Sequence, residues 1–218
     1  MHNNKRDTVD YLDTLATHCL AFIEKEMQTD TAHDTSHILR VVKTAEALCE
    51  IENANRAVVL PAAYLHDCFT FPKNHPQRSE SSRFAADKAV AFLRSIDYPA
   101  EFLEAIHHAI VAHSFSANIT PETVEAKIVQ DADRLDALGA VGVARCILVS
   151  ASLGRQLYSL VDPFCEEREP DDHTYTLDHF YTKLLGLPST MQTAAAQREG
   201  EKRVAFMKTF IDQLDHEI

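Results

Sequence analysis

The sequence predicts an all-α protein, and two observations support this fold class. Only five of the 218 residues are glycine. Apolar residues recur at spacings of three and four rather than in alternation, which is typical of helices that bury one face. Because 45% of the residues are hydrophobic, the chain can bury a sizeable core. We therefore expect one helical domain over residues 1–218, organised as a bundle.

The N-terminal third predicts three helices. The first is expected from about Asp7 to Met27 and ends at the polar segment TDTAHDTS. The second begins near Thr35 or Ser36, either of which can cap it, and carries a histidine in its first turn. The segment NRAVVLPAAYLHDCF is apolar enough to form a central buried helix. Pro61 within this segment must either start the helix or kink it.

The remainder continues as helices separated by two irregular stretches. The polar segment TFPKNHPQRSESS predicts a long loop before the amphipathic segment RFAADKAVAFLRSI. PAEFLEAIHHAIVAH predicts a helix, and the next helix is expected to be capped by Thr120 with Pro121 as its first residue. The acidic residues 162–176 predict a surface excursion, with Glu166–Asp172 solvated. EKRVAFMKTFIDQLDHEI predicts a last helix that docks by one apolar face.

Charge and cysteine usage exclude several classes of function. A formal net charge of -12 argues against binding to nucleic-acid polymers or to an anionic membrane surface. Five scattered cysteines without a CxxC pair predict neither a disulfide framework nor a zinc knuckle, which fits a reducing cytoplasm. The N-terminus lacks the apolar core of a signal peptide, and no apolar run approaches the roughly 18 to 20 residues of a spanning helix. We expect a soluble cytoplasmic protein.

The His66-Asp67 pair is the first candidate for chemistry, although such a dipeptide means little alone, and His33-Asp34 is a second example. Its placement is more informative, because it ends an apolar helix where ionisable groups are costly to bury unless they are paired or bound to a metal. The same holds for Asp133 and Asp136 in IVQDADRLDALGAVGVA. Imidazole nitrogens with carboxylate oxygens suit Mn, Fe, Co, Ni, Zn or Mg and leave positions open for water and a phosphate oxygen.

With these segments the sequence resembles the HD superfamily of metal-dependent phosphohydrolases, in which a His, a His-Asp pair and a distal Asp each lie on a different helix. The matching segments are HDTSHILRV with His37, AAYLHDCF with His66 and Asp67, and QDADRLDALGA with Asp133. A bacterial subgroup of these hydrolases is similar over most of the length, including FPKNHPQRSESSRFAA, AIVAHSFSA and HFYTKLLGLPSTMQT. Pro61 is the one visible departure.

The distal ligand has three candidates in the sequence, Asp131, Asp133 and Asp136. The family's Ala-Asp-x-Leu segment aligns with residues 132–135, which assigns Asp133. Asp136, about one turn later, and Asp34 are then expected to support the ligands by hydrogen bonding.

The resemblance implies hydrolysis of a small phosphorylated metabolite, with nucleotides the favoured class, through water activated by a divalent cation (Mn, Mg, Co, Ni or Fe). Asp67 would both ligate the cation and accept a hydrogen bond from the water. His33 and His113 each lie at a helix-loop junction. Each is a candidate for the general acid or for a hydrogen-bond donor to the phosphate. A homo-oligomer is compatible with the sequence.

An acidic protein needs local positive charge to hold a phosphate. The candidates are four side chains in or near the matching segments: Arg40, Lys73, Arg78 and Arg145. The resemblance favours Arg40, Lys73 and Arg145.

Three alternatives remain open at this point. A di-iron oxidase would recruit further ligands from His33, His107, His108 or His113. However, His107 and His108 are adjacent on one helix and must point in different directions, which favours exposed or core roles for both. The second alternative is a non-catalytic nucleotide-sensing module, and the third is a buried ion-paired cluster without a metal.

Overall fold

The computed structural model describes residues 4–26, 35–71, 75–114 and 116–218, with side chains from Thr14 onward. Within these ranges the chain forms helices and no strand, and an isolated parallel bridge joins Gln156 to Tyr175. The α-helices of the described ranges are α1 (Asn4–Glu26), α2 (Thr35–Ile51), α3 (Arg56–Leu65), α4 (Ser81–Ser95), α5 (Ala100–His113), α6 (Val124–Asp136), α7 (Gly139–Ser152), α8 (Asp178–Thr182) and α9 (Ala194–Asp215). Short 3-10 helices span Arg78–Glu80 and Leu184–Thr190. The all-α prediction is confirmed.

The chain divides into two compact units, Met1–Ala132 and Asp133–Ile218, with the boundary inside α6. In the N-terminal unit α3 packs against α1, α2, α4 and α5, and α5 packs against α4. Eight of the ten residues of α3 are buried, so this helix has no solvent-facing stripe. The predicted central buried helix is therefore confirmed.

Pro61 lies inside α3 and does not start it. Asn55 caps the helix, since its side chain accepts the N–H of Ala57 at 3.0 Å. A proline at the sixth helical residue has no N–H to donate to the carbonyl four residues earlier, which belongs to Ala57. That carbonyl instead accepts the hydroxyl of Tyr98 at 2.6 Å, and the helix continues to Leu65.

The predicted start of α6 is wrong by three residues. Thr120 and Pro121 precede the helix, which begins at Val124. Thr123 is the cap, because its hydroxyl accepts the N–H of Ala126 at 3.2 Å. The N–H of Glu122 donates to Nε2 of His108 on α5 at 3.0 Å, so this donor is not available to a cap at Thr120.

In the C-terminal unit α7 packs against α9, and the 3-10 helix Leu184–Thr190 contacts both α8 and α9. The backbone between α7 and α8 is irregular, as expected for residues 162–176. Glu166, Glu167, Glu169 and Asp171 are exposed, as expected, and neighbouring residues anchor the stretch to the protein. The guanidinium of Arg168 binds the fully buried carboxylate of Asp178 through N–O distances of 2.5 and 2.7 Å. Asp162 accepts the backbone N–H groups of Glu166, Glu167 and Arg168.

Among the described residues, no single helix combines the length and the apolar composition that crossing a membrane requires. Two consecutive helices with a bend between them, Val124–Asp136 and Gly139–Ser152, are together long and apolar enough, judged by length and composition alone.

Candidate metal centre

Three helices of the N-terminal unit bring a histidine-aspartate cluster together. His37 lies in the first turn of α2, His66 and Asp67 directly follow the last residue of α3, and His113 is the last residue of α5. His37 and His66 are completely buried and His113 is nearly so. The Asp67 side chain is 19% exposed. The cluster therefore consists of buried imidazoles around a carboxylate that solvent can reach.

Asp67 is the centre of the cluster. One of its carboxylate oxygens lies 3.8 Å from Nε2 of His66 and 4.0 Å from Nε2 of His37, and the other lies 3.5 Å from Nε2 of His113. These distances are too long for direct hydrogen bonds. Ligand atoms that share a metal through bonds of about 2.0–2.2 Å lie about 3–4 Å apart. The spacing therefore fits atoms arranged around a common cation.

Hydrogen bonds fix the tautomers of two of the histidines. Nδ1 of His66 lies 2.8 Å from the carbonyl oxygen of Ala63, and Nδ1 of His113 lies 2.5 Å from that of Ile110. A carbonyl can only accept, so each Nδ1 carries the proton and each neutral ring has its lone pair on Nε2. Both carbonyls belong to the last turn of the helix, where they lack intrahelical donors. Nε2 of His66 is thus in the form that binds a metal, and Nε2 of His113 is the ring atom left either to bind a metal or to carry an exchangeable proton.

The donor set as a whole fits a divalent cation. Nitrogen or oxygen ligand atoms of His66, Asp67 and His113 all lie within 4.8 Å of one another, and those of His37 and His66 satisfy the same limit. The rings of His66 and His113 stand edge to face, with their centroids 4.9 Å apart. Neutral imidazoles with a carboxylate are ligands that suit Mn, Fe, Co, Ni and Zn.

The three candidates for the distal aspartate have different environments. Asp131 is completely buried and Asp136 is nearly so, whereas Asp133 is half-buried on the last turn of α6. Asp136 forms an ion pair with Arg145, with an N–O distance of 2.5 Å. The carboxylate of Asp136 is therefore paired with an arginine side chain. The assignment of Asp133 as the distal metal ligand stays a prediction.

Three of the cations predicted to bind phosphate are described, and each has a partner in the protein. Arg40 donates to the hydroxyl of Ser36 at 2.9 Å, and Arg145 donates to Asp136. Arg78 donates to the hydroxyl of Thr70 at 2.6 Å and to the carbonyl of Phe71. Phosphate binding by these arginines stays a prediction. His33, Asp34 and Lys73 lie outside the described residues.

His107 and His108 point to different partners, which confirms the expectation from their adjacency. Nε2 of His107 lies 3.0 Å from a carboxylate oxygen of Asp87, and His108 accepts the N–H of Glu122. Among the described histidines considered as extra iron ligands, His113 lies in the cluster and these two do not.

The sequence interpretation missed an aromatic cluster beside the His-Asp pair. Phe69, Phe71 and Phe84 contact one another with ring centroids 4.9 to 5.7 Å apart, and His75 stacks on Phe71 at 4.3 Å. The sequence signal for this aromatic cluster was the presence of two aromatic residues within four positions after Asp67.

The fold is all-α, and histidines and an aspartate meet at the ends of its helices. These features define a class of helical proteins with a candidate metal site. Comparisons with known proteins identify the family within this class. Residues 35–138 match the HD domain family. The uncharacterized protein YpgQ of Bacillus subtilis (strain 168) is 31% identical over 192 residues, which is 86% of this chain and 85% of YpgQ.

Solved structures agree with these matches. The crystal structure of Bacillus subtilis YpgQ in complex with ADP is 32% identical, with a TM-score of 0.70 over 94% of this chain and 97% of that one. The crystal structure of an HD-superfamily hydrolase from Bacillus thuringiensis is also 32% identical, with a TM-score of 0.72 and the same coverage. The chain belongs to the HD superfamily and has the fold of an HD-superfamily hydrolase.

Proposed function

We propose that this protein is a metal-dependent phosphohydrolase that acts on a small phosphorylated metabolite, a nucleotide, through water activated by a divalent cation. The observation that carries the proposal is the cluster in which Asp67 lies 3.5 to 4.0 Å from the Nε2 atoms of three histidines. Nucleotides are supported as the substrate class because the similar YpgQ structure is a complex with ADP.

The proposed ligands are His37, His66, Asp67 and Asp133. The register of α6 supports Asp133. Gln130, three residues earlier on that helix, donates its side-chain amide to the carbonyl of Ala112 at 2.7 Å, directly before His113. Residues three apart share a helix face. Asp136, bound to Arg145, is proposed to hold the end of α6 rather than the cation.

A divalent cation at this position would polarise a phosphate oxygen and lower the pKa of a bound water, so that hydroxide would be available to attack near neutral pH. Asp67 reaches solvent and would accept a hydrogen bond from the attacking water, which orients the water toward phosphorus. As general acid, His113 would act as the imidazolium, in which Nδ1 keeps its bond to the carbonyl of Ile110 and Nε2 carries the proton that passes to the leaving group. His113 is therefore the proposed general acid, with His33 retained as a candidate from the sequence.

Positive charge for the phosphates is proposed to come from Arg40, Lys73 and Arg145, with Arg78 as a further candidate. Arg40 lies one turn after His37 and is partly exposed. The acceptor of its described bond, the Ser36 hydroxyl, is neutral, and a phosphate oxygen would replace it with a charged acceptor and a stronger bond.

The test is a substrate screen with purified protein, a panel of nucleoside mono-, di- and triphosphates, and Mn, Mg, Co or Ni. Phosphate is measured with and without added pyrophosphatase, which distinguishes removal of a terminal phosphate from release of pyrophosphate. Asp67→Ala and Asp133→Ala should abolish turnover and metal binding while far-UV circular dichroism stays helical. Asp87→Ala is the matched control, because this exposed carboxylate contacts only His107 among the described contacts.

Full activity in either ligand variant would refute the assignment. Absence of phosphate and pyrophosphate release under every metal would favour the nucleotide-sensing module. Two irons per chain with oxygen consumption would favour the oxidase.

A further inference from the structure

A buried hydrogen bond connects the proline of α3 to the start of α5. Pro61 removes one N–H from α3, and the carbonyl that would have received it, that of Ala57, accepts the hydroxyl of Tyr98 at 2.6 Å. Tyr98 is only 4% exposed, so water does not readily replace this bond. The hydroxyl thus takes the place of a missing backbone donor inside the most buried helix of the N-terminal unit.

Tyr98 is itself held at a junction. Its N–H donates to the carbonyl of Leu93 at the end of α4, at 2.9 Å. The residue before it, Asp97, has a left-handed backbone with φ of 56°, and the residue after it, Pro99, caps α5. The position of the hydroxyl is therefore fixed by two helix ends rather than by a mobile loop.

The two helices that this bond joins are two of the three that carry the cluster. Both carry it at the C-terminal end: α3 is followed by His66 and Asp67, and α5 ends at His113. The Tyr98 bond connects them at their N-terminal ends. Any change in the path of α3 across Pro61 is carried to the ligands.

A change in the angle of α3 at Pro61 would be large compared with what a metal tolerates. Proline is the usual cause of helix kinks of more than about 20°, because its ring crowds the carbonyl four residues earlier, here the carbonyl that Tyr98 binds. His66 lies five residues beyond Pro61, about 7.5 Å along the axis. A tilt of that size moves its Cα by about 2.5 Å, whereas metal-ligand distances hold within about 0.2 Å.

We propose that Tyr98 is a positioning residue for the metal ligands, and that its hydroxyl sets the path of α3 so that His66 and Asp67 meet His113. This inference rests on the proposed metal site. Tyr98 does not touch the cation or the substrate; it acts through Ala57 and the helix that follows.

The test measures Mn²⁺ affinity by isothermal titration in the full chain, together with the thermal midpoint without metal. Tyr98→Phe should weaken Mn²⁺ binding by about tenfold or more, the effect typical of losing a group that orients ligands. Pro61→Ala restores the missing N–H, so the double variant Pro61→Ala/Tyr98→Phe should recover wild-type affinity within about threefold. The control, Ile23→Val, removes one methylene from the core at α1 and should lower the midpoint without changing the Mn²⁺ affinity.

The outcomes separate the two proposals. If wild type binds Mn²⁺ and Tyr98→Phe binds it equally well with a lower midpoint, the hydroxyl is purely structural and the positioning role is overturned. The same conclusion follows if Pro61→Ala fails to rescue Tyr98→Phe. If wild type binds neither Mn²⁺ nor Co²⁺, the metal site itself is overturned, and the positioning role with it.

Discussion

Replacing Arg168 by Met should destabilise the protein by about 3 kcal/mol, the lower end of the range for breaking a buried ion pair. Asp178 is completely buried, and Arg168 holds it through two charged hydrogen bonds of 2.5 and 2.7 Å. Without the guanidinium this carboxylate is a buried charge without a cation. It would keep the backbone N–H of Asp171 at 2.6 Å, which is why the low end of the range applies.

The assay is thermal and urea unfolding followed by far-UV circular dichroism. For a chain of this length about 1 kcal/mol corresponds to 2–4 °C, so a loss of about 3 kcal/mol should lower the midpoint by about 6–12 °C. Arg198→Met on α9 is the matched control, because this arginine is exposed and its loss should stay within about 0.5 kcal/mol. Arg168→Met/Asp178→Asn should recover part of the loss, since it removes the buried charge.

The dependence on pH gives a second check. Burial by itself would raise the pKa of Asp178, but hydrogen bonds from Arg168 and the N–H of Asp171 lower it below its ordinary value. A lowered pKa in the folded state contributes stability above the unfolded pKa, about 3.9, and this contribution is lost as pH falls through the folded pKa. The gap between wild type and Arg168→Met should be largest near neutral pH and shrink in acid. A loss under about 1 kcal/mol, or a gap that widens in acid, would refute the reasoning.

Three further outcomes are expected. His113→Ala should keep Mn²⁺ binding within a few-fold but lower kcat by about 10²–10⁴, as for loss of a general acid; unchanged kcat would remove that role. Burial raises the pKa of Cys19 to about 12. This thiol should therefore be unreactive with Ellman's reagent at pH 8 until urea unfolds the protein. Rapid reaction at Cys19 in the folded protein would contradict its burial. A Cβ on Gly142 would lie 2.2 Å from the carbonyl oxygen of Ala137. Gly142→Ala should therefore lower the free energy of unfolding by about 1–3 kcal/mol. Gly186 has open space around it, so the control Gly186→Ala should leave the free energy of unfolding almost unchanged.

Helical periodicity was sufficient to predict most of the fold. The buried helix α3 was predictable because its apolar residues leave no polar face, and α5 because PAEFLEAIHHAIVAH begins with a helix-starting proline. The start of α6 was not predictable from Thr120 and Pro121. The competing contact, from the N–H of Glu122 to His108, joins residues 14 apart on different elements.

Some features of the candidate site were also predictable from the sequence, and others depend on tertiary contacts. His37, His66 and Asp67 were predictable because a local motif places them at helix ends. The tautomers of His66 and His113 depend on carbonyls that only the folded helix ends present. The role of Tyr98 follows from Pro61, since a buried helix with a proline needs a substitute donor. The identity of that donor, 41 residues from its acceptor, depends on tertiary packing.

The helix ends around Asp67 also have an electrostatic consequence. α3 and α5 present their C-terminal ends, each equivalent to roughly half a negative charge, while α2 presents its N-terminal end, roughly half a positive charge, beside His37. The backbone alone therefore polarises the cluster, attracting a cation on the side of His66 and His113 and an anion on the side of His37. Substitution of the ligands removes the groups that hold a metal but leaves this backbone field in place.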